Sequence, residues 1–207
     1  MAATAKFWDR IADKYSRQPI ANMPAYEHKL AKTRAYFRPD SQVLELGCGT
    51  GSTALLHAPF VGHILATDIS PKMLGIARAK AEEEGIDNVH FELASVDDLN
   101  PREPLDVVMA MSLLHLLEDK EALIAKVYKW LKPGGVFITS TVCLQEGMNW
   151  LRWIAPIGYK LGLMPYVSFF SGEHLANCLT RAGFELDYQW RPKESKMTLF
   201  IVAKKPE

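Results

Sequence analysis

Three observations in the sequence predict an α/β fold with a mostly parallel sheet. From residue 42 to residue 141, short apolar runs alternate with segments of helical pattern, the rhythm of strand–helix–strand crossovers. Those runs carry few polar residues, so helices are expected on both faces of the sheet, giving a three-layer sandwich. The chain then ends in two apolar runs joined by a short polar link, residues 191–196, and adjacent strands so joined must run antiparallel. The expectation is seven strands, with one reversed C-terminal strand at the end of the sheet.

The elements follow in order. Phe7, Trp8, Ile11 and Tyr15 fall on one face of an N-terminal helix. Pro19 and Pro24 interrupt it, and a second helix is read over residues 25–37 before Pro39-Asp40 punctuates. Residues 43–46 form the first strand, followed by a glycine-rich turn and a short helix. Residues 63–67 form the second strand. Ser70 is a capping side chain and Pro71 fits the first helical position, so a helix runs from there to about Glu84, where Gly85 ends it. Strands are read at 89–93 and 105–110, a helix at 119–131, a turn at Lys132-Pro133-Gly134-Gly135 and a fifth strand at 136–141. A helix at 171–182 and strands at 184–190 and 197–203 complete the chain. One domain is expected over residues 1–207, with an N-terminal helical cap at 1–40, a core at 42–141, an inserted cap at 145–170 and a closing helix and hairpin at 171–207.

Composition excludes several classes. Lys+Arg and Asp+Glu are both 24, so no global field draws the chain to nucleic acid or to an anionic membrane. Cys48, Cys143 and Cys178 form no C-x-x-C pair, which argues against a disulfide framework and a structural zinc site; no metal is expected. The first residues lack the apolar stretch of a secretory leader, so a cytoplasmic setting is the default. The longest apolar segment, 148–170, is broken by Arg152, Pro156, Lys160 and Pro165, so stable membrane insertion is not expected.

The chemistry centres on Glu45-Leu46-Gly47-Cys48-Gly49-Thr50-Gly51. Glycines at alternate positions after a strand allow a tight turn and let a ligand touch bare backbone. A dinucleotide loop would place its third glycine at Ser52, and the loop lacks the Lys-Ser/Thr of a triphosphate site. Asp68 ends the next strand, where ligands of open α/β sheets bind, and a carboxylate there can accept hydrogen bonds from both hydroxyls of a ribose. The pair signals a nucleoside without a phosphate.

At these residues the chain resembles the class I S-adenosylmethionine-dependent methyltransferases of small-molecule type. The matching blocks are residues 45–51, residues 66–74, Asp106-Val107-Val108 through Leu114-His115, and residues 131–135. The resemblance implies a Rossmann-like fold and S-adenosylmethionine as cofactor, with S-adenosylhomocysteine as product. It implies that Gly47, Cys48, Gly49 and Gly51 approach the methionine part, with Glu45 beneath. Asp68 would bind the ribose, and Ile69 and Met73 would pack on the adenine. The family's usual Asp near the adenine amino group is replaced by Ser95, with the Val96 amide beside it. Met111 matches the position flanking the transferable methyl, and Tyr15 an aromatic folded over the cofactor.

Methyl transfer from a sulfonium needs a nucleophile held in line at about 3–3.5 Å and water excluded; a base is required only for a proton of high pKa. His115, just after the fourth strand, is the candidate base, since an imidazole can titrate near neutral pH. Trp150, Trp153, Tyr166 and Phe169 lie in the aromatic stretch 145–170, expected to be a helical cap over the active site, paired with the N-terminal helices, that takes a small hydrophobic or amphipathic acceptor. A homodimer interface, plain core packing or transient membrane contact are alternative uses of that stretch. Two other functions stay open: a cofactor-binding regulator without turnover, and an NAD-dependent oxidoreductase, which Ser52 disfavours.

Overall fold

Val43, Leu44 and Leu46 are apolar on both sides of one short strand, and all three are buried. That strand, β1 (Gln42–Leu46), therefore lies between covered faces. The computed structural model describes residues 2–207; Met1, where the expected domain begins, lies outside them. The chain divides into two compact units, Met1–Asn100 and Pro101–Glu207.

The first unit opens with helices α1 (Ala2–Ser16) and α2 (Met23–Arg34). After β1 come α3 (Ser52–His57), β2 (His63–Asp68), α4 (Pro71–Glu84) and β3 (Val89–Leu93). β1 pairs with β2 and β2 with β3, all parallel; Leu46 lies opposite Thr67, and Asp68 opposite Leu93. Helix α4 has the predicted ends: Ser70 Oγ accepts from the Met73 amide, Pro71 starts the helix, and Gly85 closes it in the left-handed conformation (φ +65°).

The second unit holds β4 (Leu105–Met111), α5 (Lys120–Trp130), β5 (Leu131–Val142), α6 (Ala155–Lys160), α7 (Gly172–Arg181), β6 (Glu185–Trp190) and β7 (Thr198–Lys204). β4 and β5 are parallel, while β7 runs antiparallel to both β5 and β6. The strand order over the chain is β3-β2-β1-β4-β5-β7-β6, the expected seven-stranded mixed sheet. β7 is the reversed strand, and it lies one place in from the edge. Its residues are almost all buried, whereas burial along β6 alternates, as an outer strand requires.

The expected turn at Lys132-Pro133-Gly134-Gly135 lies inside β5. Leu131 already pairs with Leu105, and pairing resumes at Val136 with Val107, so the four residues bulge out of the ladder. Gly134 takes φ +75°, and Lys132 Nζ reaches the buried Asp106 carboxylate at 2.9 Å. Gly134 N–H donates to Lys205 O, and Lys205 N–H to Gly135 O. Lys205 Nζ donates to Tyr128 O (2.8 Å) and Leu131 O (2.7 Å), carbonyls that the end of α5 leaves without helical partners.

The stretch 145–170 is helical only in part. It holds 3-10 turns at Leu144–Glu146 and Asn149–Trp153 and the six residues of α6; from Gly162 to Phe170 no regular element forms. Gly and Pro explain the shortness: Pro156 fits only a first turn, Gly162 takes φ +67°, and Pro165 follows. No helix among the described residues is long and apolar enough to cross a membrane.

Candidate functional site

The loop after β1 is built by backbone geometry that L side chains resist. Gly47, Gly49 and Gly51 take φ +65°, +55° and +75°. Two of them serve different ends. A Cβ on Gly51 would come within 2.7 Å of Ala77 Cβ and 3.0 Å of the Phe91 ring, so glycine there lets the loop pack against α4 and β3. A Cβ on Gly49 would meet nothing closer than Tyr15 Cε1 at 4.0 Å, so that glycine opens onto a shallow cradle. Cys48 N–H anchors the loop to Thr67 O, and Lys80 Nζ donates to Thr50 O, Thr50 Oγ1 and Ser52 Oγ behind it.

Asp68 stands at the neighbouring strand tip. Its Oδ2 accepts from Gly49 N–H (2.8 Å) and its Oδ1 from Ser70 N–H (2.9 Å). Each carboxylate oxygen keeps acceptor capacity for a further donor, which two adjacent sugar hydroxyls would fill. Burial raises the Asp68 pKa, and the amides of Ser70, Gly49 and Ile69 pull it back down. Tyr15, on α1, lies over Gly49 and feels the Asp68 charge; burial first and that charge second raise its phenol.

Asp9 holds α1 there, a residue the sequence reading missed. Ser70 Oγ donates to Asp9 Oδ1 (2.6 Å), and Lys72 N–H donates to the same oxygen (3.2 Å). An acid on the first amides of α4 is favoured by the orphan donors and the helix dipole. The signal was legible in outline: Ser70-Pro71 announces a helix start whose amides seek an anion.

Glu45 lies beneath the loop, 2% exposed, and its Oε2 has no hydrogen-bond partner among the described residues. Burial, then the Asp68 charge, push its pKa up to about 8 against the Ala54 amide. Cys48 is buried and its thiol is pushed far up by burial, then by Glu45 and Asp68, so it is no nucleophile. Ile69 is half-buried, whereas Met73 is buried on the inner side of α4. Ser95 Oγ accepts from Asp97 N–H and its carbonyl from the Asp98 and Leu99 amides; the loop is a turn with Val96 at its half-buried crest.

The structure thus brings Tyr15, Gly49 and Asp68 together with Glu45 below them. The glycine positions, the bare cradle at Gly49 and the spare acceptors of Asp68 suit a nucleoside carrying an uncharged-backbone contact in place of phosphates. A family model described as a methyltransferase domain matches residues 43–135. The ubiquinone biosynthesis O-methyltransferase of Thiobacillus denitrificans is 31% identical over 189 residues, covering 88% of this chain and 79% of that protein. The chain belongs to the class I S-adenosylmethionine-dependent methyltransferases. The demethylmenaquinone methyltransferase of Leptospira interrogans is 29% identical over 172 residues, 78% of this chain and 68% of the other. The N-methyltransferase NodS of Bradyrhizobium japonicum, solved with S-adenosyl-L-homocysteine, shares the fold with a TM-score of 0.78 at 17% identity, over 99% of this chain and 100% of that one.

The methyltransferase's second unit carries the other expected site residues. Met111 is half-buried at the end of β4. Ser112 follows with φ +62°, and among the described residues it is the non-glycine residue with positive φ; its N–H donates to Ser140 O at 2.7 Å. A non-glycine residue in the left-handed region costs about 1–3 kcal/mol, and composition cannot reveal it. His115 is half-buried, its Nδ1 3.5 Å from Thr141 Oγ1 and its carbonyl accepting from Ser168 N–H. Burial lowers its pKa to about 4, below the near-neutral range of an exposed imidazole. Tyr166 stacks edge-on against Tyr159, and Phe169 is half-buried, while Trp150 and Trp153 face solvent.

Glu121, His174 and Cys178 set one ligand-capable atom each within 4.8 Å of one another. His174 and Cys178 lie one turn apart on α7, a spacing the search for Cys pairs passes over. Burial works to raise the Glu121 pKa, but hydrogen bonds from Lys120, its own amide and His174 hold it at about 2. The Lys120 ammonium, 2.9 Å from that carboxylate, already neutralises the group.

Proposed function

We propose that residues of the unit Met1–Asn100 bind S-adenosylmethionine and that the chain transfers its methyl group to a small hydrophobic or amphipathic acceptor. The observation that carries this reading is Asp68, held at its strand tip by backbone amides, Gly49 N–H and Ser70 N–H among them, with acceptor sites to spare. In this reading Asp68 accepts from the ribose hydroxyls, and Gly47, Cys48 and Gly49 meet the methionine part through backbone. Gly51 seats the loop and Tyr15 covers it. Ile69 packs on the adenine with Met73 behind it, and Ser95 and the Val96 amide face the adenine edge. When bound, the cofactor's sulfonium supplies an electrophilic methyl and a good leaving group. The chain's own task is then to align an acceptor and keep water away.

Met111 is assigned to the methyl group's flank. His115 is neutral at pH 7 and can accept a hydrogen bond from the acceptor. With a conjugate acid of pKa about 4 it gives a captured proton up at once, so it orients the acceptor rather than storing its proton. Tyr166 and Phe169 supply half-buried aromatic surface for an apolar acceptor. Relatives named for ubiquinone biosynthesis and for demethylmenaquinone support an aromatic, lipophilic acceptor of the quinol type.

Titration calorimetry of the purified chain with S-adenosylhomocysteine tests the reading. One binding site is expected, and Asp68→Ala should weaken it at least tenfold while circular dichroism stays unchanged. Wild-type protein that takes up neither S-adenosylhomocysteine nor S-adenosylmethionine sinks the proposal.

A further inference from the structure

Six large apolar side chains stand out from the second unit within fourteen residues. Trp150 is 61% exposed and Trp153 76%; Ile154, Ile157, Leu161 and Leu163 lie between 49% and 70%. An exposed cluster of this size is uncommon on a soluble surface and marks a contact. The charge pattern is equally uneven. From Gly147 to Gly172 the chain carries Arg152 and Lys160 and no Asp or Glu, in a protein whose net charge is zero. Both cations are exposed, and the Arg152 guanidinium lies 5.5 Å from the Trp153 ring centroid, on the same side of the patch. Along the chain the segment is flanked by Glu146, which clamps Arg191 (2.7 Å) and the Gly172 amide (2.8 Å), and by Glu173; Glu118 acts on Tyr166, outside the run 150–163.

We propose that residues 150–163 form a docking surface for the anionic face of a lipid bilayer. Trp side chains favour the headgroup level, where an apolar ring and a polar N–H are both accommodated. Ile154, Ile157, Leu161 and Leu163 would enter the acyl boundary, with Arg152 and Lys160 at the headgroups. α6 and the turn before it hold these residues in place: Ala155 is buried, and Trp150 and Trp153 sit in one 3-10 turn. A second copy of the chain is the competing occupant. A two-fold interface would set this patch against itself, bringing Arg152 and Lys160 near their own copies with no carboxylate in the segment to pair them. An anionic surface neutralises both charges, each worth roughly fivefold in affinity at low salt. This docking stands apart from methyl transfer, because vesicle binding and cofactor binding are measured separately.

The experiment is vesicle flotation of the full chain with phosphatidylglycerol vesicles and with phosphatidylcholine vesicles, at low and high salt. The chain should float with the anionic vesicles, less well at high salt, and much less with the zwitterionic ones. Trp150→Ser with Trp153→Ser, and separately Arg152→Glu with Lys160→Glu, should each lose at least tenfold. All substituted positions are exposed, and an unchanged circular dichroism spectrum of each variant shows that it is folded. Equal recovery with and without anionic vesicles overturns the proposal. So does a concentration-dependent dimer, seen by sedimentation, that the Trp pair abolishes while vesicles bind neither protein.

Discussion

Glu45 and Asp68 place two carboxyl groups at the tips of adjacent parallel strands, and burial raises the pKa of both. Glu45, with its pKa at about 8 against an ordinary 4.5, binds a proton in the folded chain that the unfolded chain has released. Its contribution to stability is complete below pH 4.5 and is lost as pH rises through about 8, at most about 1.4 kcal/mol per pH unit. His57 and His115 act in the opposite sense. Their folded pKa values, about 3 and about 4, lie below the ordinary 6.5, so their stability is present above 6.5 and lost as pH falls. The unfolded histidines have released nearly all their protons only above about pH 7.5, so from there to about 8 Glu45 dominates the slope. Urea unfolding across that window should show stability falling with pH, and Glu45→Gln should flatten the slope. A slope identical in the variant would remove Glu45 as its source. Gly51 belongs at the same scale: both its φ and its contacts with Ala77 and Phe91 forbid a side chain, so its glycine is structural even though it stands in the cofactor loop.

At the scale of elements, α4 joins the fold to the site. Ser70 is fully buried, caps α4 through the Met73 amide and hands its own proton to Asp9 on α1. One side chain thus ends a loop, starts a helix and moors the helix that carries Tyr15. Ser70→Ala removes the cap and leaves the Asp9 carboxylate with the Lys72 amide alone from this group. A loss of about 1–2 kcal/mol is expected in urea unfolding, the upper range for a cap because a charged partner is also lost. Affinity for S-adenosylhomocysteine should fall with it, since Tyr15 depends on that mooring. A variant as stable and as tightly binding as wild type would show that α1 is held by its aromatic contacts instead. β5 teaches the reverse lesson about element boundaries. Lys132-Pro133-Gly134-Gly135 reads as a turn because Pro and Gly punctuate, yet Asp106 and Lys205 draw those residues back to the sheet as a bulge. Local residue types cannot report partners as far along the chain as Asp106 and Lys205.

For the whole molecule, what was legible followed from local causes. The alternation of apolar runs located all seven strands, and caps at Ser70 and Gly85 fixed α4 to the residue. Glycines at 47, 49 and 51 with Asp68 located the tight loop after β1 and the carboxylate beside it, because backbone freedom and a carboxylate at a strand tip are written in residue types. The strained Ser112, the outward Trp150 and Trp153, and the identity of Asp9 as Ser70's partner were not legible, because each depends on which segments the folded chain brings together or turns away. Whether the loop takes a nucleoside without phosphates is a property of the intact protein, and it can be read from its melting. A ligand present at 100 times its Kd stabilises the native state by about 2.7 kcal/mol. For a chain of 207 residues, at roughly 2–4 °C per kcal/mol, that raises Tm by about 5–10 °C. S-adenosylhomocysteine should produce this shift and NAD should not, since Ser52 stands where a dinucleotide loop needs its third glycine and the cradle at Gly49 is bounded by Tyr15. Asp68→Ala should abolish the shift while leaving the ligand-free Tm within a few degrees of wild type, because the carboxylate gives up only backbone amide hydrogen bonds, from Gly49, Ser70 and Ile69, on a half-buried tip. A shift with NAD equal to that with S-adenosylhomocysteine would assign the loop to nucleosides in general and remove the phosphate-free selectivity on which the cofactor reading rests.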